Sequence, residues 1–319
     1  MTDVDTISLA QVKSKALTWL WDRYIPSGAV TMCFGDGGVG KSFLSLAIAA
    51  AVTRGWPLPG EEQESKTPGN VIVQNAENAL PTVVKPRLEL LGADCERVHC
   101  INESEHRLTL SDERIEAAIV KHDAKLMILD PVQAYLGGAV SMNRAESVRL
   151  VLTQLAQMAE RTKCAILLAG HLNKAGGAKA NYRGLGSVDM FNSVPSVLYL
   201  GKPDDDDERV MVQGKNNLTE VGPSLMFRLS KADGFEWLGE CDTTLEELLA
   251  KKTAAERDRK RAEAAEFLQD ILSEGEIAAV EIVEMGLDNG FSESTLKRAK
   301  RSIGGRSRKE DGAWFWYMP

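Results

Sequence analysis

Eight consecutive residues carry the densest chemistry in this chain. Gly35-Asp36-Gly37-Gly38-Val39-Gly40-Lys41-Ser42 fits the spacing G-x-x-x-x-G-K-[ST] without a gap. Glycines at these places let backbone N–H groups converge on one anion, a geometry that side chains would obstruct. Lys41 adds a charge able to reach the β- and γ-phosphates of a nucleoside triphosphate, and the Ser42 hydroxyl can ligate Mg²⁺. Gly35, Gly37, Gly38, Val39, Gly40, Lys41, Ser42 and the following Phe43 are therefore the expected nucleotide-binding residues, with ATP and Mg²⁺ as the expected ligands. The loop lies between an apolar run, Ala29–Phe34, and an alanine- and leucine-rich stretch, Ser42–Thr53. A strand followed by a helix would aim the positive end of the helix dipole at the phosphates.

Cleavage needs more than a cradle: a carboxylate to hold the metal and a group to orient water. Leu126-Met127-Ile128-Leu129-Asp130 is an apolar strand ending in an acid, so Asp130 is the expected partner of Ser42 at the metal. Glu77 follows the apolar strand after the loop helix and is placed to polarise the attacking water from the side opposite Lys41. His171 closes the apolar run Ala165–Gly170, at a strand's carboxyl end, where open α/β sheets bind ligands. It is either a sensor of the γ-phosphate or a hydrogen-bonded structural histidine.

These residues need a scaffold, and the pattern supplies one. Apolar runs at Ala29–Phe34, Asn70–Asn75, Arg97–Ile101, Lys125–Asp130 and Cys164–Ala169 alternate with helical patterns at Ser42–Thr53, Thr82–Leu91, Asp112–Lys121 and Arg144–Arg161. Runs without strict alternation fit strands covered on both faces, so the expected fold is an α/β core around a mainly parallel sheet. Shorter strands at Ser196–Leu200, Arg209–Gln213, Ser224–Ser230 and Phe235–Leu238, with turns at Asp204–Asp207 and Ala232-Asp233-Gly234, predict antiparallel hairpins extending it. The expected division is 1–242 for this core, 243–261 for a charged helical connector and 262–319 for a small second domain.

In that last segment Ala262–Leu272, Ala278–Glu284 and Glu293–Ile303 read as helices. Ser292 is the expected N-cap of the third, with Phe291 and Leu296 as a hydrophobic staple, and Gly304-Gly305 ends it. Leu296, Ala299 and Ile303 share an inward face; Lys297, Arg298, Lys300 and Arg301 lie on or beside another. Arg306-Ser307-Arg308-Lys309 and Trp314-Phe315-Trp316-Tyr317 flank Glu310-Asp311-Gly312, a hairpin turn signal. Three helices plus a hairpin resemble a winged helix-turn-helix, whose basic helix would enter a DNA groove while Arg306 and Arg308 on the wing lie along phosphates.

The remaining composition narrows the partners. A net charge of −8 argues against general polyanion binding but leaves room for a local basic surface. No apolar stretch is long enough to span a bilayer, and the acidic start is unlike a signal peptide. Five cysteines form no C-x-x-C pair, so reduced thiols in a cytoplasmic protein are expected, with no membrane partner.

Taken in order, these motifs resemble the RecA-fold P-loop ATPases of plasmids and prophages, specifically the RepA-like replicative helicase group. The resemblance spans about Ala16 to Gly239 and includes Trp19-Leu20-Trp21, the glycine loop, Ala76-Glu77-Asn78, Leu129-Asp130-Pro131, Gly170-His171-Leu172-Asn173-Lys174, Arg183-Gly184-Leu185-Gly186-Ser187 and Lys215-Asn216-Asn217. It implies Glu77 as catalytic base, Asp130 as metal-holding acid, His171 as γ-phosphate sensor, and Arg87 near the active site. It implies a homo-oligomeric ring, usually a hexamer, with Lys174–Ser187 as a loop facing a central channel. There Lys174, Lys179 and Arg183 suit contact with single-stranded DNA. Where relatives often place an arginine that reaches the neighbouring subunit's nucleotide, this chain has Pro195. Either Lys215 takes over in trans, or the register is shifted and Arg183 or Arg209 is the finger. The expected function is a DNA helicase driven by ATP hydrolysis. The alternative is an ATP-gated DNA-binding regulator with slow turnover, and a metabolic kinase leaves the basic tail unexplained.

Overall fold

The computed structural model describes residues 6–62, 66–137, 145–172, 192–203, 207–230, 234–250, 254–273, 275–291, 293–310 and 313–319. Strands β1 (Trp19–Trp21) and β2 (Ile25–Pro26) form a small antiparallel hairpin that the apolar pattern does not foretell. It is anchored by burial. Trp21 is wholly enclosed, donates its indole N–H to the Pro59 carbonyl at 3.0 Å, and packs 4.5 Å from Tyr24.

Strand β3 (Val30–Gly35), buried throughout, runs into the glycine loop and then helix α1 (Lys41–Arg54). Helix α1 holds no glycine or proline, and Leu44, Leu46, Ile48 and its alanines are buried almost all round. Strand β4 (Asn70–Asn75) follows. One helix is expected over Thr82–Leu91; instead a π-helical turn at Leu80–Val84 precedes a short α2 (Lys85–Leu90). Pro86 explains this, because it removes the N–H that a continuous α-helix would donate to the Thr82 carbonyl, while Pro81 sits in the first turn, where no such bond is needed. Strand β5 is only Val98–His99, shorter than the expected Arg97–Ile101. The Gln74 side chain takes over the pairing beyond it, accepting from the Ile101 N–H at 2.6 Å and donating to the Ile101 carbonyl at 3.3 Å.

Helix α3 (Glu113–His122) starts at Asp112, whose carboxylate accepts from the Arg114 N–H at 2.9 Å, and ends where Asp123 turns left-handed. Strand β6 (Ala124–Asp130), helix α4 (Ala145–Thr162) and strand β7 (Ala165–His171) complete the alternation. Strands β8 (Ser196–Gly201), β9 (Glu208–Asn216), β10 (Ser224–Ser230) and β11 (Gly234–Cys241) come next. Among the described residues one sheet holds nine strands in the order β11-β10-β9-β8-β3-β7-β6-β4-β5. Its β5–β4, β4–β6 and β6–β7 pairs are parallel, while β9–β10 and β10–β11 are antiparallel. The expected α/β class with a mainly parallel sheet and antiparallel later strands is the observed one.

After α5 (Leu245–Leu249), which Thr244 and Glu247 cap reciprocally, helix α6 runs over Ala254–Leu272. It starts earlier than the expected Ala262, so part of the anticipated connector is already the first helix of the terminal segment. Strand β12 (Ile277–Ala278), helices α7 (Ala279–Asp288) and α8 (Glu293–Ser302), and strands β13 (Arg306–Glu310) and β14 (Ala313–Tyr317) follow. The three strands pair in the order β12-β14-β13. Ala264, Leu268, Leu272, Ile282, Phe291, Leu296, Ala299 and Trp316 form a core of their own, with Ile303 partly buried against it. The anticipated cap Ser292 lies outside the described residues.

The contacts divide the chain into two compact units. One comprises Met1–Phe34, Lys41–Leu198 and Gln213–Gly222; the other comprises Gly35–Gly40, Tyr199–Val212 and Pro223–Pro319. Among the described residues no helix is long and apolar enough to cross a membrane. All five cysteines carry free thiols, and burial pushes that of Cys33 up to about 12.

Candidate active site

The pairing of β4 with β6 sets Asn75 directly beside Asp130 at the carboxyl ends of both strands. Gly35 and His171 end β3 and β7, so four adjacent strands, β3-β7-β6-β4, deliver residues to the edge where open α/β sheets bind ligands.

Lys41 opens α1 and is 5 % exposed. Its Nζ lies 3.3 Å from His171 Nδ1, and His171 Nε2 lies 3.4 Å from Glu77 Oε1. An ammonium can only donate, so Nδ1 accepts and Nε2 carries the hydrogen that Glu77 accepts. Three of the anticipated residues thus form one chain, Lys41–His171–Glu77. Glu77 and Lys41 were expected on opposite sides of the phosphate; the structure sets the imidazole between them.

Asp130 is 4 % exposed, and burial pushes its carboxyl above the usual range. A hydrogen bond from the Ser42 hydroxyl opposes that push; the Glu77 charge adds to it, while Lys41 and His171 reduce it. A buried carboxylate disfavoured as an anion gains most from an added cation. The donor set, one hydroxyl and one carboxylate oxygen, is the hard-oxygen chemistry that Mg²⁺ prefers, so Ser42 and Asp130 fit it.

Asn75 joins the two acids. Its Oδ1 accepts from the Glu77 N–H at 3.1 Å, the Asn78 N–H at 2.7 Å and Asn78 Nδ2 at 3.1 Å. Its Nδ2 donates to Asp130 Oδ2 at 3.3 Å, and the Ala76 N–H donates to the Asp130 carbonyl at 2.9 Å. Sequence reasoning missed this residue, although the available signal was the polar pair Gln74-Asn75 closing an apolar strand. Gln74 holds the next loop through Glu103 at 2.6 Å.

The cradle itself is open. A Cβ on Gly37 or Gly38 would meet nothing within 4 Å, and Gly38 (φ +74°) and Gly40 (φ +96°) take left-handed conformations that favour glycine. Val39 is buried at the loop's centre. Beside Ser42, the Phe43 ring carries the Arg87 guanidinium 4.6 Å from its centroid, which gives Arg87 a place near the helix start.

The other anticipated residues are scattered. Lys174, Lys179 and Arg183 lie outside the described residues. Lys215 donates to the Asn192 carbonyl at 3.3 Å, and burial pulls its amine below the usual range. Arg209 is buried, with its Nε 3.9 Å from where a Cβ on Gly40 would sit. In the terminal segment Lys297 pairs with Glu293 at 2.7 Å, and Lys300 bonds Ser307 and covers the Trp316 ring at 4.2 Å. Arg308 is gripped by Glu276 and by Glu310, the latter at 2.9 Å. Arg301 and Arg306 are exposed, and Arg298 is half-buried.

A search of curated proteins returns no match. A family model described as an AAA domain, AAA_25, matches residues 1–177, a span that contains the glycine loop, Glu77, Asp130 and His171. That match covers more than half of the chain, which therefore belongs to the AAA_25 family of AAA domains and is a P-loop ATPase.

Proposed function

We propose that the chain is a Mg²⁺-dependent ATPase that works on DNA, a ring-forming replicative helicase of the RepA-like plasmid and prophage type. The observation that carries this reading is the pair of linked sets, Lys41–His171–Glu77 and Ser42–Asp130–Asn75, which meet where four strands end.

The roles follow from charge. Loop N–H groups and Lys41 bind the β- and γ-phosphates. A multiply charged phosphate outcompetes a neutral imidazole for an ammonium, so Lys41 leaves His171 Nδ1 when the nucleotide arrives. The histidine then has a vacant acceptor on one side and Glu77 on the other, and its position reports whether the terminal phosphate is present. Glu77, held by Asn75 through its backbone N–H, takes a proton from the attacking water. Mg²⁺ held by Ser42 and Asp130 would neutralise charge on the phosphate oxygens. Residue 171 lies three positions before the segment read as the channel loop, where Lys174, Lys179 and Arg183 would meet single-stranded DNA.

Residues 1–242 would be the ATPase domain and the segment from 262 a winged-helix DNA-contact module, with α6 running from the connector 243–261 into that module. Exposed Arg301 and Arg306 are its readiest phosphate contacts; Lys297 and Arg308 would have to exchange carboxylate partners for phosphates.

A second reading, an ATP-gated DNA-binding regulator, is favoured by Pro195 in the place of a trans arginine and by Lys215 bonding within its own chain. Loss of a trans arginine costs ~10³-fold or more in turnover. Steady-state ATP hydrolysis with and without single-stranded DNA, run beside a fork-unwinding assay, separates the two. The helicase reading requires hydrolysis that rises with DNA and ATP-dependent strand separation. Tight ATP binding with DNA-indifferent hydrolysis and no unwinding would leave the regulator.

A further inference from the structure

The residues Gly35–Gly40 group with Tyr199–Val212 and Pro223–Pro319, and a specific contact explains why. A Cβ on Gly40 would lie 3.0 Å from Leu229 Cδ2 and 3.9 Å from Phe227 Cε2. The phosphate loop therefore rests on β10. Phe227 is wholly buried and passes this contact on to two further rings. Phe235 stacks on it with centroids 4.9 Å apart and planes 27° apart, and Trp237 meets it edge-on at 5.6 Å.

Phe235 and Trp237 are two residues apart on β11 and so share a face. Their centroids are 5.0 Å apart and their planes 88° apart, so they form a corner. Both rings are only half-buried. The charged residue between them, Glu236, points to the opposite face and pairs with Arg228 at 3.1 Å. Half-exposed apolar rings one ring away from a phosphate loop offer a surface to the flat base of a nucleotide. Its phosphates and its flat base are joined only through a ribose, so a base site must lie within that reach.

Resting on the nucleotide reading above, we propose that the Phe235–Trp237 corner receives the base of the nucleotide whose phosphates the loop binds. The base stacks on one ring and meets the edge of the other, the two arrangements that aromatic quadrupoles favour. Phe227 is the spacer that fixes the distance from Gly40 to this corner.

The test is calorimetry of MgATP and of Mg-tripolyphosphate, which offers the same phosphates without a base, against the full chain. Variants are Phe235→Leu, Trp237→Leu and the conservative Trp237→Phe. Each leucine variant is expected to weaken MgATP binding about tenfold, the loss of one stacking contact, while tripolyphosphate binding stays within about twofold. Trp237→Phe is expected to keep the affinity for MgATP. Unchanged tripolyphosphate binding also shows that the leucine variants are folded. Three results would overturn the proposal and leave the phosphate loop standing: an unaltered chain that binds tripolyphosphate as tightly as ATP, leucine variants that bind ATP normally, or equal losses for both ligands. An unaltered chain that binds neither ligand would remove the loop reading, and the corner with it.

Discussion

Replacing Asn75 with alanine tests whether the two acids are held by one side chain. The change removes four hydrogen bonds: three into the Glu77–Asn78 turn and one to Asp130. Each buried bond contributes about 1 kcal/mol net, but the Glu77 N–H is exposed and water can replace its partner. The three part-buried bonds, each not fully enclosed and so contributing about two-thirds of that, leave about 2 kcal/mol of lost positioning. If that loss falls on the transition state, turnover drops about 30-fold. Apparent affinity for ATP should change by less than about threefold, because Lys41 and the glycine loop, rather than Asn75, are the expected phosphate ligands. The assay is steady-state hydrolysis over a range of ATP concentrations, with a parallel unfolding curve to show that the fold survives. Repeating it in a Glu77→Gln background divides the effect: action through Glu77 disappears there, and action through Asp130 persists. Turnover of the folded Asn75→Ala protein within about twofold of the parent would refute the idea that this asparagine sets the acids.

Other outcomes follow from the same geometry. Glu77→Gln should lower hydrolysis by about 10²-fold or more while nucleotide binding is kept, as measured by turnover beside calorimetry. Gly40→Ala should cost about 1–3 kcal/mol of stability, read from denaturant midpoints, because alanine strains the φ of +96° and drives a methyl into Leu229 at 3.0 Å. The Arg114 guanidinium holds the Asp112 carboxyl below the usual range. A depressed carboxylate stabilises the fold above its unfolded pKa, and that contribution is lost as pH falls through the folded value. Acid unfolding should therefore be less steep in Asp112→Asn, followed by circular dichroism below the ordinary aspartate range.

The candidate site residues were legible because their chemistry is local in sequence. A glycine loop, a strand ending in aspartate and a strand ending in histidine each announce themselves within a few residues. Helix bounds were clear where neither proline nor side-chain pairing intervened, as in α1 and α3. They failed at Leu80–Leu90, where Pro86 interrupts the α ladder, and at β5, where Gln74 replaces strand pairing. The apolar pattern gave no hint of the β1–β2 hairpin, whose stability comes from Trp21 packing against distant backbone.

The chain's own order of residues marked a candidate phosphate cradle and two candidate acids, Asp130 and Glu77, because each is written in a short stretch whose backbone geometry depends on its neighbours. Only the tertiary structure decided which of them touch. Register between β4 and β6 brings Asn75 to Asp130, and the ends of β7 and β3 bring His171 to Lys41 across 130 positions of chain. Such contacts depend on strand order and stagger, long-range quantities set by burial of the whole sheet, and no local spacing encodes them.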